Sequence, residues 1–193
     1  MIYDKFKITG KTCVITGGAG LLGQKHAEAV IEGEGIPILL DISEAALNNA
    51  QTNLKKQYPS AEIGVYRVDI TKQSELENVR DELVKKYGRI DILINNAANN
   101  PKVEDKGDNF GNIRFDNFPL EIWNADILVG LTGAFLCAKV FGMVMEQSKS
   151  GVVLNISSDL GIIAPDQRIY RKEGLEDAEQ TIKPVTYSVI KHG

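Results

Sequence analysis

Three groups of residues have types and spacings suited to chemistry. Tyr187 and Lys191 lie four apart in Tyr187-Ser188-Val189-Ile190-Lys191. On a helix that spacing puts a phenol and an ammonium on one face. A nearby cation favours phenolate over phenol, and a phenol so poised is a general acid or base. The motif is weak alone, because chance copies are common. It gains weight from a hydroxyl pair, Ser157-Ser158, at the end of a β-like run, and from a glycine-rich turn near the start of the chain.

That turn is Thr16-Gly17-Gly18-Ala19-Gly20-Leu21-Leu22-Gly23, entered from the β-branched run Thr12–Thr16. Strand, glycine turn and helix in that order make a diphosphate cradle. Gly17 permits the tight turn, Gly20 removes a side chain where backbone must approach phosphate, and Gly23 lets the helix pack close to the sheet. The helix start then offers free N–H groups and a positive dipole end to the anion. Asp41 ends the next β-like run, Ile36–Leu40, about 20 residues on, where a dinucleotide fold sets a carboxylate on the adenosine ribose. A carboxylate there accepts from a free 2′-hydroxyl and repels a 2′-phosphate, and no Arg or Lys lies between Gly17 and Gly23. The expected cofactor is therefore NAD, not NADP. The plainer role for Asp41 is an N-cap for the helix beginning near Ser43.

These groups need elements to hold them. Strands are expected at Thr12–Thr16, Ile36–Leu40, Gly64–Val68, Ile90–Ile94 and Val152–Ile156, and helices at Leu21–Glu32, Ser43–Gln57, Gln73–Lys86 and Pro119–Met145. Strands alternating with helices argue for an α/β fold: a doubly wound parallel sheet (Rossmann), three-layer αβα, with strand order 3-2-1-4-5. The reading is one NAD-binding domain over residues 1–193. Asp41, Asp69, Asn95-Asn96 and Ser157-Ser158 all follow strands, on the one rim where such sheets bind ligands. Two long polar segments, Asn99–Phe118 and Asp159–Thr186, leave the same rim and are expected to wall a substrate pocket.

Composition bounds the rest. With 193 residues, 43 % hydrophobic and a net charge of −4, the chain can bury one core and offers no basic field for nucleic acid. The apolar runs read as too short for a bilayer, and the first residues lack a secretory pattern, so a cytoplasmic protein is expected. Cys13 and Cys137 fall inside regular elements and read as small buried hydrophobes. With His26 and His192 the only histidines, no metal site is expected. Trp123 reads as core.

Taken in order, Thr16-Gly17 through Gly23, Asp41, Asp69, Asn95-Asn96-Ala97-Ala98, Ser157-Ser158 and Tyr187-x-x-x-Lys191 resemble the short-chain dehydrogenase/reductase family over nearly the whole chain. In detail the chain is similar to members tied to flagellin modification or surface-polysaccharide synthesis. The resemblance implies a proton exchanged by Tyr187 at the substrate oxygen. It implies that Lys191 holds the nicotinamide ribose and that Ser158 bonds the substrate oxygen. Gly17, Gly20, Leu22 and Gly23 would meet the diphosphate, Asp69 and Ile70 the adenine, and Asn96 and Ala97 the cofactor behind the fourth strand. Ser157 and Asn95 read as structural. Homodimers or homotetramers are the implied assemblies.

The chain departs from the family at four points. Leu21 stands where short members carry a glycine, a spacing nearer to the nucleotide-sugar members. Gly130 stands where an Asn relays protons. Ser158 and Tyr187 are far apart, with Tyr170 between them but no Lys four residues beyond it. Finally, domains of this kind run to roughly 200–250 residues, so the chain reads as incomplete at its C-terminus, its sixth strand and lid missing and its fifth strand an open edge. Besides the dehydrogenase, two alternatives stand: an epimerase or dehydratase that retains NAD, and a non-catalytic NAD-binding module.

Overall fold

The computed structural model describes residues 2–99 and 114–193. Among them, Met1–Ala97 with Thr132–Ile156 form one unit, and Ala98–Leu131 with Ser157–Gly193 a second.

The first unit is a parallel sheet. Its strands are β1 (Thr12–Thr16), β2 (Ile36–Asp41), β3 (Gly64–Arg67), β4 (Ile92–Asn95) and β5 (Val152–Asn155). Their order is β3-β2-β1-β4-β5, all neighbours parallel, the doubly wound order expected. The crossovers are the helices α1 (Leu21–Glu32), α2 (Glu44–Gln57) and α3 (Gln73–Tyr87), and, after β4, a run made of α4 (Leu120–Ile127), a π-helical segment (Leu128–Gly133) and α5 (Ala134–Gln147).

Central strands buried on both faces must be apolar throughout, and β1 is buried at every residue. Cys13, Ile15 and Leu39 point to one face and pack with Ala27 and Val30 of α1 and with Leu47, Ala50 and Leu54 of α2. On α3 and α5, Leu76, Leu83, Cys137, Val140 and Phe141 are buried, and α5 packs on α3, β4 and β5. Each such Leu, Val or Phe removed from water contributes roughly 1.5–3 kcal/mol. Burial pushes both thiols, Cys13 and Cys137, up to about 12, so neither offers a thiolate near neutrality. The lower edge of the sheet is clamped by Asp91. Its carboxylate accepts the Thr12 N–H at 2.9 Å and pairs with Arg89. β5 is an edge strand, and Val152, Val153 and Leu154 are exposed on it.

The boundaries differ from expectation by a residue or two at most strand and helix ends. One difference is larger. The helix expected over Pro119–Met145 loosens into a π-helical turn at Leu128–Gly133. A second correction concerns membranes. Contrary to the expectation that no run is long enough, Leu120–Gln147 is long and apolar enough to cross a bilayer by length and composition. Its α5 part buries Cys137, Val140, Phe141 and Met145 in the first unit, the packing of a core helix.

The second unit has little regular structure: α4, the short helix α6 (Val185–His192), and several single 3₁₀ turns. The segment 159–184 is stitched by side chains. The Gln180 amide donates to the Lys172 and Leu175 carbonyls and accepts the Lys172 N–H. Arg171 pairs with Asp177, and Arg168 with Asp166. α4 and α6 are joined where Thr186 donates to the Asp126 carboxylate at 2.6 Å, both residues buried. Of the loop Asn99–Phe118, residues 100–113 lie outside the described residues. Trp123 is half-buried.

Candidate functional site

The nucleotide rim lies in the first unit. Gly17 has φ +61°, a left-handed turn that a side chain resists. A Cβ on Gly23 would lie 2.2 Å from the Gly17 carbonyl oxygen, so only glycine lets α1 start that close to the turn. A Cβ on Gly18 would strike Leu39 of β2, a constraint the spacing rule does not mention. Gly20 is the N-cap of α1 and no side chain caps that helix end. The first-turn N–H groups of α1 are thus not taken by a side chain, as an anion site requires. Leu21 and Leu22 stand exposed at the same end.

Asp41 closes this cradle from β2. One carboxylate oxygen accepts the Ala19 N–H at 3.3 Å and the other the Ser43 N–H at 3.1 Å. The N-cap of α2 is Ser43, whose hydroxyl accepts from Ala46. Asp41 is therefore not the cap. It ties the glycine turn to the end of β2 and stays only half-buried.

The turn is also held from β4. Thr16 Oγ1 accepts the N–H groups of both Asn96 and Ala97 at 3.0 Å. The Asn96 amide donates to the Thr16 carbonyl at 3.0 Å and the Gly17 carbonyl at 3.3 Å. Thr16 is a hub that the motif pattern names without a role; its position as last residue of β1 was the available signal. Asn95 donates to the Asn155 side chain at 2.8 Å, while its Oδ1 is buried without a hydrogen-bond partner. Asp69 accepts the Thr71 hydroxyl at 2.7 Å and the Thr71 N–H at 3.0 Å. Those bonds hold its carboxyl below the usual range, against the opposing pull of burial. The Ile70 side chain is turned inward, 8 % exposed, which leaves its backbone as the part able to meet a ligand.

The other candidates lie in the second unit. Tyr187 is in the first turn of α6 and Lys191 in the last, with the ammonium 5.8 Å from the ring centroid. Burial first, and the Lys183 charge second, push the Lys191 ammonium below its ordinary value. Ser157 donates to the Lys191 carbonyl at 2.6 Å, fastening the serine pair to α6. The Ser158 hydroxyl donates to Asp159 at 2.8 Å and accepts the Leu160 N–H at 3.2 Å, capping a short turn. Tyr170 belongs to a 3₁₀ turn with no lysine on its face. Beside α6 a cavity of about 440 Å³ is lined mainly by apolar groups, among them Leu131, Leu160, Ile162, Ile163 and Val189.

Gly130 has a packing reason. A Cβ there would meet the Ile190 side chain at 2.5 Å. Ile190 of α6 occupies the space an asparagine would need, and it is itself 9 % exposed.

Comparison with known proteins follows this geometry. The sequence pattern described as short chain dehydrogenase matches residues 11–170. The chain is 35 % identical over 171 residues to an NAD-dependent glycerol dehydrogenase of Listeria innocua, covering 86 % of this chain and 60 % of that protein. It is 26 % identical over 186 residues to the post-translational flagellin modification protein A of Campylobacter coli, covering 96 % of this chain and 68 % of that protein. The solved structure of an NAD⁺-bound xylitol dehydrogenase matches with TM-score 0.77 and 24 % identity, over 96 % of this chain and 61 % of that one. That likeness is one of fold. The chain spans about 60 % of the length of such relatives. With its family pattern matched over residues 11–170 and its sheet wound in the expected order, the chain belongs to the short chain dehydrogenase family.

Proposed function

We propose that this chain works in an NAD-dependent dehydrogenase moving hydride between a nicotinamide and a secondary alcohol or ketone. A sugar or sugar nucleotide in surface glycan synthesis is the first substrate class to try. The observation that carries the cofactor choice is the Asp41 carboxylate, bonded to Ala19 and Ser43 beside an uncapped helix start. It favours a free ribose hydroxyl over a 2′-phosphate. When bound, the dinucleotide supplies the hydride; the protein supplies position and a proton. Gly17, Gly20, Leu22 and Gly23 would hold the diphosphate, with Asp69, Ile70, Asn96 and Ala97 lining the adenosine half. The Tyr187 hydroxyl exchanges a proton with the substrate oxygen, Lys191 biases it toward phenolate and bonds ribose, and Ser158 steadies the substrate oxygen. A cytoplasmic homodimer or homotetramer completes this reading.

The test begins with calorimetry. Wild-type protein should take up NAD in preference to NADP, and Asp41→Ala should weaken NAD tenfold or more. With polyols and sugar alcohols as substrates, absorbance of reduced nicotinamide should rise with wild type and not with Tyr187→Phe. Equal binding of NAD by Asp41→Ala, together with unchanged turnover by Tyr187→Phe, rejects the proposal. Ile190 filling the place of the relay residue favours a second reading, an NAD-binding module without turnover. Binding intact and every substrate class silent would select it.

A further inference from the structure

Lys183 immediately precedes the helix that carries Tyr187. The following Pro184 restricts its backbone to extended conformations. Gln167 then fixes it: the Lys183 N–H donates to Gln167 Oε1 at 2.9 Å, and the Gln167 amide donates to the Lys183 carbonyl at 3.1 Å. One side chain thus holds both backbone groups of a residue sixteen positions away. The clamp sets the Lys183 ammonium 3.8 Å from the centroid of the Tyr187 ring, nearer than Lys191 at 5.8 Å.

We propose that Lys183 is a positioning residue for Tyr187: a second cation, clamped over the ring face by Gln167, that favours the phenolate from the side opposite in sequence to Lys191. The proposal rests on the dehydrogenase reading of Tyr187. A cation within about 6 Å of a ring centroid is attracted by the π face, and an ionised ring holds it more strongly. Two ammonium groups beside one phenol oppose each other. Burial pushes the Lys183 ammonium below its usual value, and Lys191 is pushed the same way by burial and by Lys183. A negative charge on Tyr187 relieves both. Acidic groups on the elements packed against α6 are otherwise engaged: Asp126 of α4 takes the Thr186 hydroxyl and Asp159 takes the Ser158 hydroxyl. Glu121 of α4 is exposed. His192, on α6 itself, bonds the Gly161 carbonyl through Nδ1.

The experiment is an ultraviolet titration of tyrosinate without substrate, with the Tyr187→Phe trace subtracted to isolate Tyr187. Lys183→Met should move formation of the Tyr187 phenolate up by about one pH unit. Lys183→Arg should restore it, and Gln167→Ala should shift it part of the way. In turnover, the pH limb of kcat/KM should move with the phenolate while KM for NAD holds. An unmoved phenolate in Lys183→Met, or an arginine variant as shifted as the methionine, overturns the proposal. Far-ultraviolet dichroism of each variant separates a fold lost from a charge lost, and Lys183→Gln replaces any methionine variant that fails to fold. If Tyr187→Phe still turns over, the dehydrogenase reading fails, while the titration still decides the coupling of Lys183 to Tyr187.

Discussion

The glycine turn of the first unit and the Tyr187 region of the second hold their parts by different means. Around Gly17–Gly23 the contacts are backbone against backbone: a carbonyl where a Cβ would stand at Gly23, N–H groups on Thr16, an N–H on Asp41. Around Tyr187 they are side chains reaching across long stretches of sequence: Gln167 on Lys183, Ser157 on Lys191, Asp126 on Thr186. Backbone contacts resist change and suit a binding group common to many substrates. Side-chain clamps are easily varied, and suit the part of a protein that sets chemistry and specificity. Below the turn lies a sheet buried on both faces; around Tyr187 few side chains are buried.

Breaking the first unit should therefore cost most. Gly23→Ala places a methyl against backbone that cannot yield, so we expect about 3 kcal/mol of destabilisation and loss of NAD binding. Urea unfolding and calorimetry measure the two. Survival of both would show that the turn can relax.

Asp91→Asn should cost about 2 kcal/mol at pH 7, read as a lower urea midpoint. Burial raises the Asp91 carboxyl, but the bonds from Arg89 and Thr12 outweigh it, and the net direction is below the usual value. A depressed carboxyl stabilises the fold above the unfolded value near 4 and loses that contribution as pH falls through the folded one. The gap between wild type and Asp91→Asn should therefore narrow from pH 5 downward.

In the second unit, Gly130→Ala should cost about 1.5 kcal/mol, because its methyl strikes a side chain that has some room to move. Ile190→Ala removes that obstacle, so the double variant should lose about 1 kcal/mol less than the two single losses added together. Strict additivity would show that Ile190 does not fill the vacated place. The smallest effect is expected at Gln180→Ala, about 0.5 kcal/mol. Limited proteolysis within residues 172–180 should quicken while global unfolding stays put.

The same contrast explains what could be read in the chain. β1 and α1 are bounded as expected, and the sheet order follows from strand–helix alternation, because periodicity and glycine spacing are local signals. Asp41 was legible for the same reason: it ends a strand at a fixed distance from the turn. Gln167 and Lys183 were not, since nothing in sixteen intervening residues marks a polar amide as a clamp. Gly130 read as a lost relay; only its closeness to Ile190, sixty residues on, gives it a packing reason. The helix across 120–147 read as unbroken because a π-helical turn keeps the apolar period nearly intact.

Sequence alone determined the sheet, its order and the glycine cradle, since hydrophobic period and backbone freedom act between near neighbours. Tertiary structure alone decided that Ser43 caps α2, that Thr16 gathers the rim, and that Lys183 lies over Tyr187. Those contacts join residues whose separation along the chain carries no periodic trace, and only the folded path of the backbone brings them within bonding distance.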